Sequence, residues 1–368
     1  MNRGLLIGIN IADIHFGAFD PKEQYDILKE QFINYLYGLP RIDYIAICGD
    51  LFHKKVMGNS DVLYYASVFI EDIVQLSRIK NSTIVIIHGT MSHDSQMIKI
   101  FYHYLNDPTL DIKITDTLSF INVKNARVLC IPELYGVEES VYDQYLHRSG
   151  YYDMAFIHGT FKGSVYGDNV GNGRLFDIHD FNMCTGMMIS GHVHKSGCFQ
   201  GYYYYCGSPY RWQFGEPEEK GYLISVLDMD SSRHYIQFMP LKCKTYLTLD
   251  INDNISSPDD TIKYIEDYKR NVGADYLRTK FNVPVNGADK IIIDSYYRNN
   301  PNIFVEFLNI MEEKKIKQEQ AGIVEDMYDF ILDPNLSDFE KFVRYVNIKE
   351  GSDFVTVDKL KEILDEQI

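Results

Sequence analysis

Histidines and aspartates recur in this sequence directly after short apolar runs, where their side chains could bind metal ions. Five fragments share this placement: "ADIHFG", "CGDLFH", "HGTMSHD", "FIHGTF" and "SGHVHK". Any one of them alone is typical of an ordinary turn, but all five in order indicate a dinuclear metal site. Mixed imidazole and carboxylate ligands suit Mn, Fe or Zn better than Ca or Mg.

The elements that must position these fragments are strands. Over residues 1–240, apolar β-branched runs alternate with amphipathic segments such as "KEQYDILKEQFINYLYGL" and "DVLYYASVFIEDIVQLS". This alternation predicts a mostly buried α/β sheet. In such sheets the loops beyond the carboxyl ends of the strands converge on one crevice. We therefore expect the carboxylates and imidazoles to meet there.

The sequence pattern changes after Pro240 and predicts three regions, 1–240, 241–311 and 312–368. The second region has strand-like and helix-like runs in the order βαβαβ. The third begins with a charged linker, "MEEKKIKQEQ", and ends in two amphipathic helices, of which the first starts at Ser337 with a capping-box Glu340.

Composition restricts the classes of function. The net charge is −16, and residues 318–368 hold 13 acidic against 5 basic residues, which argues against a passive nucleic-acid coat. Acidity does not exclude an enzyme that acts on phosphates, because bound divalent metals offset site carboxylates. The six cysteines are isolated, so we expect reduced thiols. No run is long enough to span a bilayer, and the first run lacks a cleavage site; we expect a cytoplasmic protein with no membrane partner.

The ordered set of strand-end motifs resembles the calcineurin-like metallophosphoesterase superfamily. Two segments, "GDLFH" and "YYCGSPYRWQFGEPEEKGYLISVLD", are similar to SbcD-type nucleases, the partners of an SbcC-type ATPase in double-strand-break processing. The resemblance covers residues 1–230 and, in the order of elements, 241–310. It implies an α/β fold: a metallophosphoesterase β-sandwich flanked by helices, a small α+β capping domain that binds DNA, and a short helical C-terminal segment that binds the ATPase.

The resemblance also implies two divalent metal ions, with Mn first and Mg as the alternative. One metal would take Asp13, His15 and His194, the other would take His158 and His192, and Asp50 would bridge them. His93 matches the family's catalytic histidine, with Asp94 orienting it. His53 matches a position associated in the family with exonuclease action, although from the residues alone a surface or core role is its default.

The third motif departs from the family pattern. The family has G-N-H-D, whose Asn oxygen binds the second metal, whereas "HGTMSHD" contains no Asn and two extra residues. Ser92, directly before His93, is the positional replacement, and Thr90 is the alternative. A neutral hydroxyl is a weaker ligand than an amide oxygen, so we expect a loosely held second metal or a water in this position.

The resemblance implies a Mn-dependent DNA nuclease, with double-strand exonuclease and single-strand endonuclease activity, acting with an SbcC-type ATPase in DNA repair and recombination. A homodimer within a heterotetramer is expected, paired through helices near 60–76 and 95–105. Strand alternation in "ADYLRTKFNV" places Arg278 and Lys280 on one face, where they would contact DNA. The composition suits a phage-encoded member acting in the host cytoplasm. A phosphomonoesterase or protein phosphatase on the same fold and a non-catalytic DNA-end-binding subunit are the alternatives.

Overall fold

The computed structural model describes residues 3–56, 60–94, 97–164, 174–253 and 257–308, together with 340, 341 and 343. The strands of this part are β1 (Leu5–Ile11), β2 (Tyr44–Cys48), β3 (Thr83–Ile87), β4 (Ile112–Thr115), β5 (Ser119–Val123), β6 (Ala126–Ile131), β7 (Tyr152–His158), β8 (Thr160–Phe161), β9 (Leu175–Phe176), β10 (Cys184–Gly191), β11 (Gly197–Phe199), β12 (Tyr203–Tyr205), β13 (Gly221–Asp228), β14 (His234–Pro240), β15 (Tyr246–Ile251), β16 (Tyr276–Phe281) and β17 (Ile303–Phe307). The α-helices are α1 (Pro21–Leu28), α2 (Asn34–Gly38), α3 (Asp61–Lys80), α4 (Glu139–Leu146), α5 (Pro258–Val272) and α6 (Gly287–Tyr297).

Two six-stranded sheets carry the strand ends that the sequence singled out. The first has the order β14-β13-β1-β2-β3-β4, in which β1 to β4 are parallel and β13 is antiparallel to β1. The second has the order β11-β12-β10-β7-β6-β5, in which β6, β7, β10 and β12 are parallel. The mixed α/β class is therefore confirmed. The alternation of strands and helices in the sequence had indicated a single sheet, but these strands form two.

The core between the two sheets is apolar and buried. Ala46, Cys48 and Val85 of the first sheet pack with Met154 and Phe156 of the second. Burying a side chain of this size stabilises the fold by roughly 1.5–3 kcal/mol relative to exposure. Because both sheets also carry apolar residues on their outer faces, each needs a helical cover.

Helices cover the outer face of each sheet. Phe32, in the helical stretch from α1 to α2, and Phe69 of α3 are fully buried on the first sheet. Tyr142 and Leu146 of α4 are buried with the second sheet. The helix predicted over 22–39 is observed over Pro21–Gly38, with a π-helical turn at Lys29–Ile33 between α1 and α2. It begins where the Asp20 carboxylate accepts a hydrogen bond from the Glu23 backbone N–H at 2.8 Å.

The predicted order βαβαβ after Pro240 is confirmed as β15, α5, β16, α6 and β17, with a three-stranded sheet in the order β15-β16-β17. The chain divides into two compact units, residues 1–248 with 266–278, and 249–265 with 279–368. This division runs through the stretch predicted as one domain. The predicted C-terminal helices lie outside the described residues apart from 340, 341 and 343. Within the described helices, none combines the length and apolarity needed to cross a membrane.

Candidate metal centre

Residues at or after the ends of β1, β2, β3, β6, β7 and β10 bring their side chains to one place. Four groups of metal-ligating residues have donor atoms that all lie within 4.8 Å of one another. They are Asp13, His15 and His194; Asp13, Asp50 and His158; Glu133, His158 and His192; and His15, His53 and His93. The groups share members, so they form one continuous cluster, which the two sheets build together.

The first ligand group is formed by Asp13, His15 and His194. The Nε2 atoms of His15 and His194 lie 3.2 Å apart. The Asp13 carboxylate accepts hydrogen bonds from the backbone N–H of His192 at 2.9 and 3.1 Å. Burial lowers the pKa of His15 well below its ordinary value, so its neutral form is favoured. Two imidazole nitrogens that face each other beside a buried carboxylate form a cation-binding geometry.

The second ligand group centres on His158. Its Nδ1–H donates to the Cys48 carbonyl at 2.8 Å, which leaves Nε2 to face the cluster. This Nε2 lies 3.3 Å from Asp50 Oδ2 and 3.8 Å from Glu133 Oε2. Burial alone would lower the pKa of His158, but Asp50, Asp13 and Glu133 around it raise that pKa well above its ordinary value. In the absence of metal, His158 therefore supplies positive charge to the carboxylates.

Asp50 lies between the two groups. Its Oδ2 is 3.7 Å from His15 Nε2 and 3.3 Å from His158 Nε2. Although burial alone would raise the pKa of Asp50, the imidazoles of His158, His15 and His93 hold it below its ordinary value. This is the position required of a bridging carboxylate.

The backbone at the cluster adopts a sterically costly conformation. Asp13, His15, Asp50 and His192 have φ values of 52°, 49°, 52° and 83°, and they make up four of the eight non-glycine residues with positive φ in the described chain. Each such residue costs of order 1–3 kcal/mol and persists only where its surroundings fix it, which is common at functional sites. Gly49 is required here too, because a Cβ at this position would collide with the His158 ring.

His93 and His53 border the first ligand group. The ring centroids of His15 and His93 are 4.6 Å apart, and those of His53 and His93 are 5.7 Å apart. Nδ1–H of His93 donates to the backbone carbonyl of His53, which leaves its Nε2 outside that hydrogen bond. His53 thus joins the cluster, contrary to its default role as a surface or core residue.

Asp94 was predicted to orient His93, but its carboxylate contacts backbone groups of two loops. Its buried carboxylate accepts hydrogen bonds from the backbone N–H groups of Asp50, Phe52 and Gly89 at 2.9, 3.1 and 2.8 Å. It therefore fixes the loops after β2 and β3, and the backbone carbonyl of His53 orients His93 instead. Burial raises the pKa of Asp94 to about 7.

Of the two hydroxyl residues considered for the missing Asn, Thr90 lies in the cluster. Ser92 is exposed. The Thr90 hydroxyl lies 3.2 Å from Asp50 Oδ2, 2.8 Å from Glu133 Oε2 and 3.4 Å from His158 Nε2. The two residues between Thr90 and His93 are accommodated by a tight turn, in which the His93 N–H donates to the Thr90 carbonyl at 2.9 Å.

Glu133 is a member of the cluster that the motif analysis missed. It is buried, and its Oε2 lies 3.4 Å from His192 Nδ1. Burial alone would raise the pKa of Glu133, but hydrogen bonding to His192 and the charge of His158 lower it to about 2. The sequence did contain an indication of this residue, because Glu133 comes shortly after the apolar run "RVLCI", as the other cluster residues come after apolar runs.

A second layer of charged residues supports the first ligand group. His194 Nδ1–H donates to Glu216 Oε1 at 2.8 Å, which turns its Nε2 toward His15. The buried Lys220 ammonium lies 3.2 Å from Glu216 Oε2 and donates to the His194 carbonyl at 3.0 Å. Both residues come from the segment "GEPEEKGY". A carboxylate behind a metal-binding histidine fixes the tautomer and raises the basicity of the ligand.

The residues predicted to contact DNA lie on β16, whose alternating burial confirms the predicted strand faces. The Arg278 guanidinium lies 4.9 Å from the Phe214 ring centroid and donates to Thr248 Oγ1 at 3.2 Å. The Lys280 ammonium lies 3.8 Å from Glu306 Oε2. Both side chains are half-buried, and neither belongs to the cluster.

The donor set fits two divalent cations. Three buried carboxylates and four imidazoles converge, and the non-coordinating nitrogens of His158 and His194 are committed to Cys48 and Glu216. Buried carboxylates at this density need positive charge to offset their desolvation, which bound cations could supply in place of a protonated His158.

No family model and no curated protein matches the chain. One solved structure aligns with a TM-score of 0.38 and 12% sequence identity, over 66% of this chain and 100% of that one. A likeness at this level carries no argument about fold or function, so the interpretation depends on the site itself.

Proposed function

We propose that this chain is a Mn-dependent DNA nuclease of the SbcD type, within the metallophosphoesterase superfamily. The observation that carries the proposal is the position of Asp50 between the two ligand groups, 3.7 Å from His15 Nε2 and 3.3 Å from His158 Nε2, with His93 beside them. When bound, two divalent ions at such a site neutralise the attacked phosphate and lower the pKa of a water nucleophile. The order and spacing of the motifs support the family assignment.

The chain's own residues have separate roles in this mechanism. Asp50 orients both ligand groups from its central position. His93 presents Nε2 because its Nδ1–H is held by the His53 carbonyl. In its cationic form, His93 donates a proton from Nε2 to the leaving oxygen, which is general acid catalysis. Glu216 holds His194 in the orientation that points Nε2 at the first group.

Two features support DNA over a phosphomonoester as substrate. The segment from Gly207 to Lys220, which phosphatases of the superfamily lack, supplies the support behind His194. It also supplies Trp212, the only tryptophan, whose ring centroid lies 4.8 Å from that of His15 and 4.6 Å from that of His194. An aromatic ring beside the metal site offers a surface on which a nucleobase can stack.

The test is cleavage of labelled linear duplex, of single-stranded DNA and of a chromogenic phosphomonoester, each with Mn²⁺, Mg²⁺ or EDTA. The proposal expects Mn²⁺-dependent cleavage of both DNA substrates, little phosphomonoester hydrolysis and no activity in Asp50→Ala. Faster hydrolysis of the phosphomonoester would establish a phosphatase instead. DNA-end binding without cleavage in any metal would establish a non-catalytic subunit.

The proposed partners are DNA, an SbcC-type ATPase and a second copy of the chain. The ATPase-binding segment, 312–368, is almost entirely outside the described residues. Deleting residues 318–368 should leave Mn²⁺-dependent single-strand cleavage intact and abolish co-purification with the ATPase. For self-association, Tyr64 on α3 is exposed, whereas Ile98 and Phe101 are buried within this chain. Light scattering at micromolar concentration tests the dimer, and a monomer would contradict it.

A further inference from the structure

We infer that Glu133 is a ligand of the second metal ion, in the place that an Asn amide takes in the family. The second metal would then be held by two carboxylates, Asp50 and Glu133, and two imidazoles, His158 and His192. Thr90 would orient the two carboxylates and would not itself bind the metal. This inference rests on the proposed two-metal site and specifies one of its ligands.

The contacts of Glu133 assign different roles to its two oxygens. Oε1 accepts a hydrogen bond from the Tyr135 hydroxyl at 2.6 Å, which fixes the carboxylate from outside the cluster. Oε2 points into the cluster, where it lies 3.4 Å from His192 Nδ1 and 3.8 Å from His158 Nε2. The hydrogen bond to Oε1 fixes the orientation of the carboxylate, and Oε2 is left to bind a metal ion.

The Thr90 hydroxyl explains how the loop can do without an Asn. Its Oγ1 lies 2.8 Å from Glu133 Oε2 and 3.2 Å from Asp50 Oδ2, so it contacts both carboxylates. A hydroxyl has a single proton to donate and is a weak, neutral metal ligand compared with a carboxylate. The oxygen ligand that the loop after β3 lacks is therefore supplied from the other sheet, by the loop after β6.

Charge supports the same assignment. Asp13, Asp50 and Glu133 are all buried, with 0%, 3% and 9% exposure. A neutral amide in place of Glu133 would leave two carboxylates for two dications. The third carboxylate strengthens the attraction for the second cation, and oxygen-rich sets favour Mn over softer metals.

The test measures Mn²⁺ binding to the full chain by calorimetry and by the electron paramagnetic resonance of coupled Mn pairs. Wild type should bind two Mn²⁺ and give the coupled signal. Glu133→Ala should keep the first Mn²⁺ and weaken the second by more than the roughly 10–100-fold that removal of an outer-shell partner costs. Glu133→Gln, which keeps the shape and removes the charge, should weaken it less. Glu138→Gln, on the same loop but exposed, should match wild type.

The double variant Glu133→Ala with Thr90→Asn should regain the second Mn²⁺, because it puts an amide beside Asp50. Circular dichroism and thermal melting in EDTA establish that each variant is folded. Two Mn²⁺ bound at wild-type affinity by folded Glu133→Ala would overturn the ligand assignment. If wild type binds two Mn²⁺ but cleaves no DNA, the proposed function fails while the assignment stands. If folded Glu133→Ala binds two Mn²⁺ and cleaves DNA as wild type does, the ligand assignment fails while the proposed function stands.

Discussion

The Nε2 atoms of His15 and His194 lie 3.2 Å apart, although 179 positions of sequence separate the two residues. His194 has its proton on Nδ1, where it donates to Glu216, and burial keeps His15 neutral. Two nitrogen lone pairs at this distance repel each other unless a proton or a cation lies between them. A second proton on His194, whose pKa the hydrogen bond to Glu216 raises, or a bound metal ion would each stabilise this pair of nitrogens.

Metal binding and catalysis should be separable. Asp50→Ala removes the central carboxylate, so it should lose both Mn²⁺ ions and all activity. His93→Ala removes a group that contacts the site only at its edge, so it should bind Mn²⁺ normally while turnover falls by roughly 10²–10⁴-fold. Calorimetry and single-turnover cleavage on the same preparations make the comparison. Equal loss of metal in both variants would contradict the separate roles.

Glu216 should tune the first metal site through His194. Burial alone would lower the pKa of His194, but the hydrogen bond to Glu216 raises it. Glu216→Gln should therefore reduce Mn²⁺ affinity at pH 8 by roughly 10–100-fold. It should also shift the acid limit of Mn²⁺ binding to lower pH, because a less basic His194 competes less well for protons.

The buried Lys220 complicates the interpretation of Glu216→Gln, and a second substitution at Lys220 provides the control. Removing the charge of Glu216 leaves the Lys220 ammonium without its closest carboxylate, which costs roughly 3–5 kcal/mol for a buried pair. The double variant Glu216→Gln with Lys220→Met should recover thermal stability but not Mn²⁺ affinity. Glu218 Oε1 lies 3.4 Å from the Lys220 ammonium, and Glu218→Gln should leave Mn²⁺ affinity unchanged. Recovery of affinity in the double variant would mean that Glu216 acts only through stability.

Thr90→Asn and Ser92→Asn should behave differently. Thr90 lies inside the cluster, so an amide there adds an oxygen near the second metal and should lower the Mn²⁺ concentration for half-maximal activity. Ser92 is exposed, so the same substitution should have no effect. A tighter metal with Ser92→Asn alone would restore the assignment that the sequence favoured.

Arg278 and Lys280 should bind DNA phosphates without taking part in cleavage. Reversing both charges to Glu should weaken duplex binding and reduce the slope of log K against log salt by about 0.9 for each phosphate that is no longer neutralised. Cleavage of a short single strand at saturating concentration should be unaffected. Arg270→Glu, on exposed α5, is the control. An unchanged salt slope would show that β16 presents an ordinary solvated face.

His88 should make stability depend on pH. Burial lowers its pKa below the ordinary value of 6.5, so the unfolded chain takes up a proton at higher pH than the folded protein does. The contribution of neutral His88 is fully present above pH 6.5 and is lost as pH falls below that value. In EDTA, His88→Gln should show a smaller drop in the free energy of unfolding between pH 8 and pH 5.5 than wild type. His103→Gln, an exposed site, should behave as wild type does.

Sequence patterns predicted most elements because each leaves a local signal. The apolar runs became β1, β2, β3, β6, β7 and β10, and the amphipathic segment over 61–77 became α3, which extends to Lys80. They did not reveal two sheets, since a strand buried on both faces has the same composition in either arrangement. Strands β4 and β5 were missed because "IKIT" and "SFINV" are short and half polar.

The parts of the site that sequence could not supply depend on the backbone. His93 is oriented by the His53 carbonyl, and every residue has a carbonyl, so no residue type indicates this contact. Asp94 is likewise satisfied by three backbone N–H groups. Thr90 and Ser92 differ only in how the loop turns, which motif counting does not show.

The pairing of β1 has a consequence for synthesis of the chain. Asn10, on β1, donates to the carbonyl of Leu223 on β13, 213 residues further on. At roughly 5–20 residues per second, a ribosome needs about 10–40 s to make the intervening chain. During that interval one edge of β1 has no antiparallel partner, and an unpaired edge can form hydrogen bonds with a strand of another chain. The strand that leads into Asp13 and His15 can therefore be completed on its β13 side only after β13 has been made.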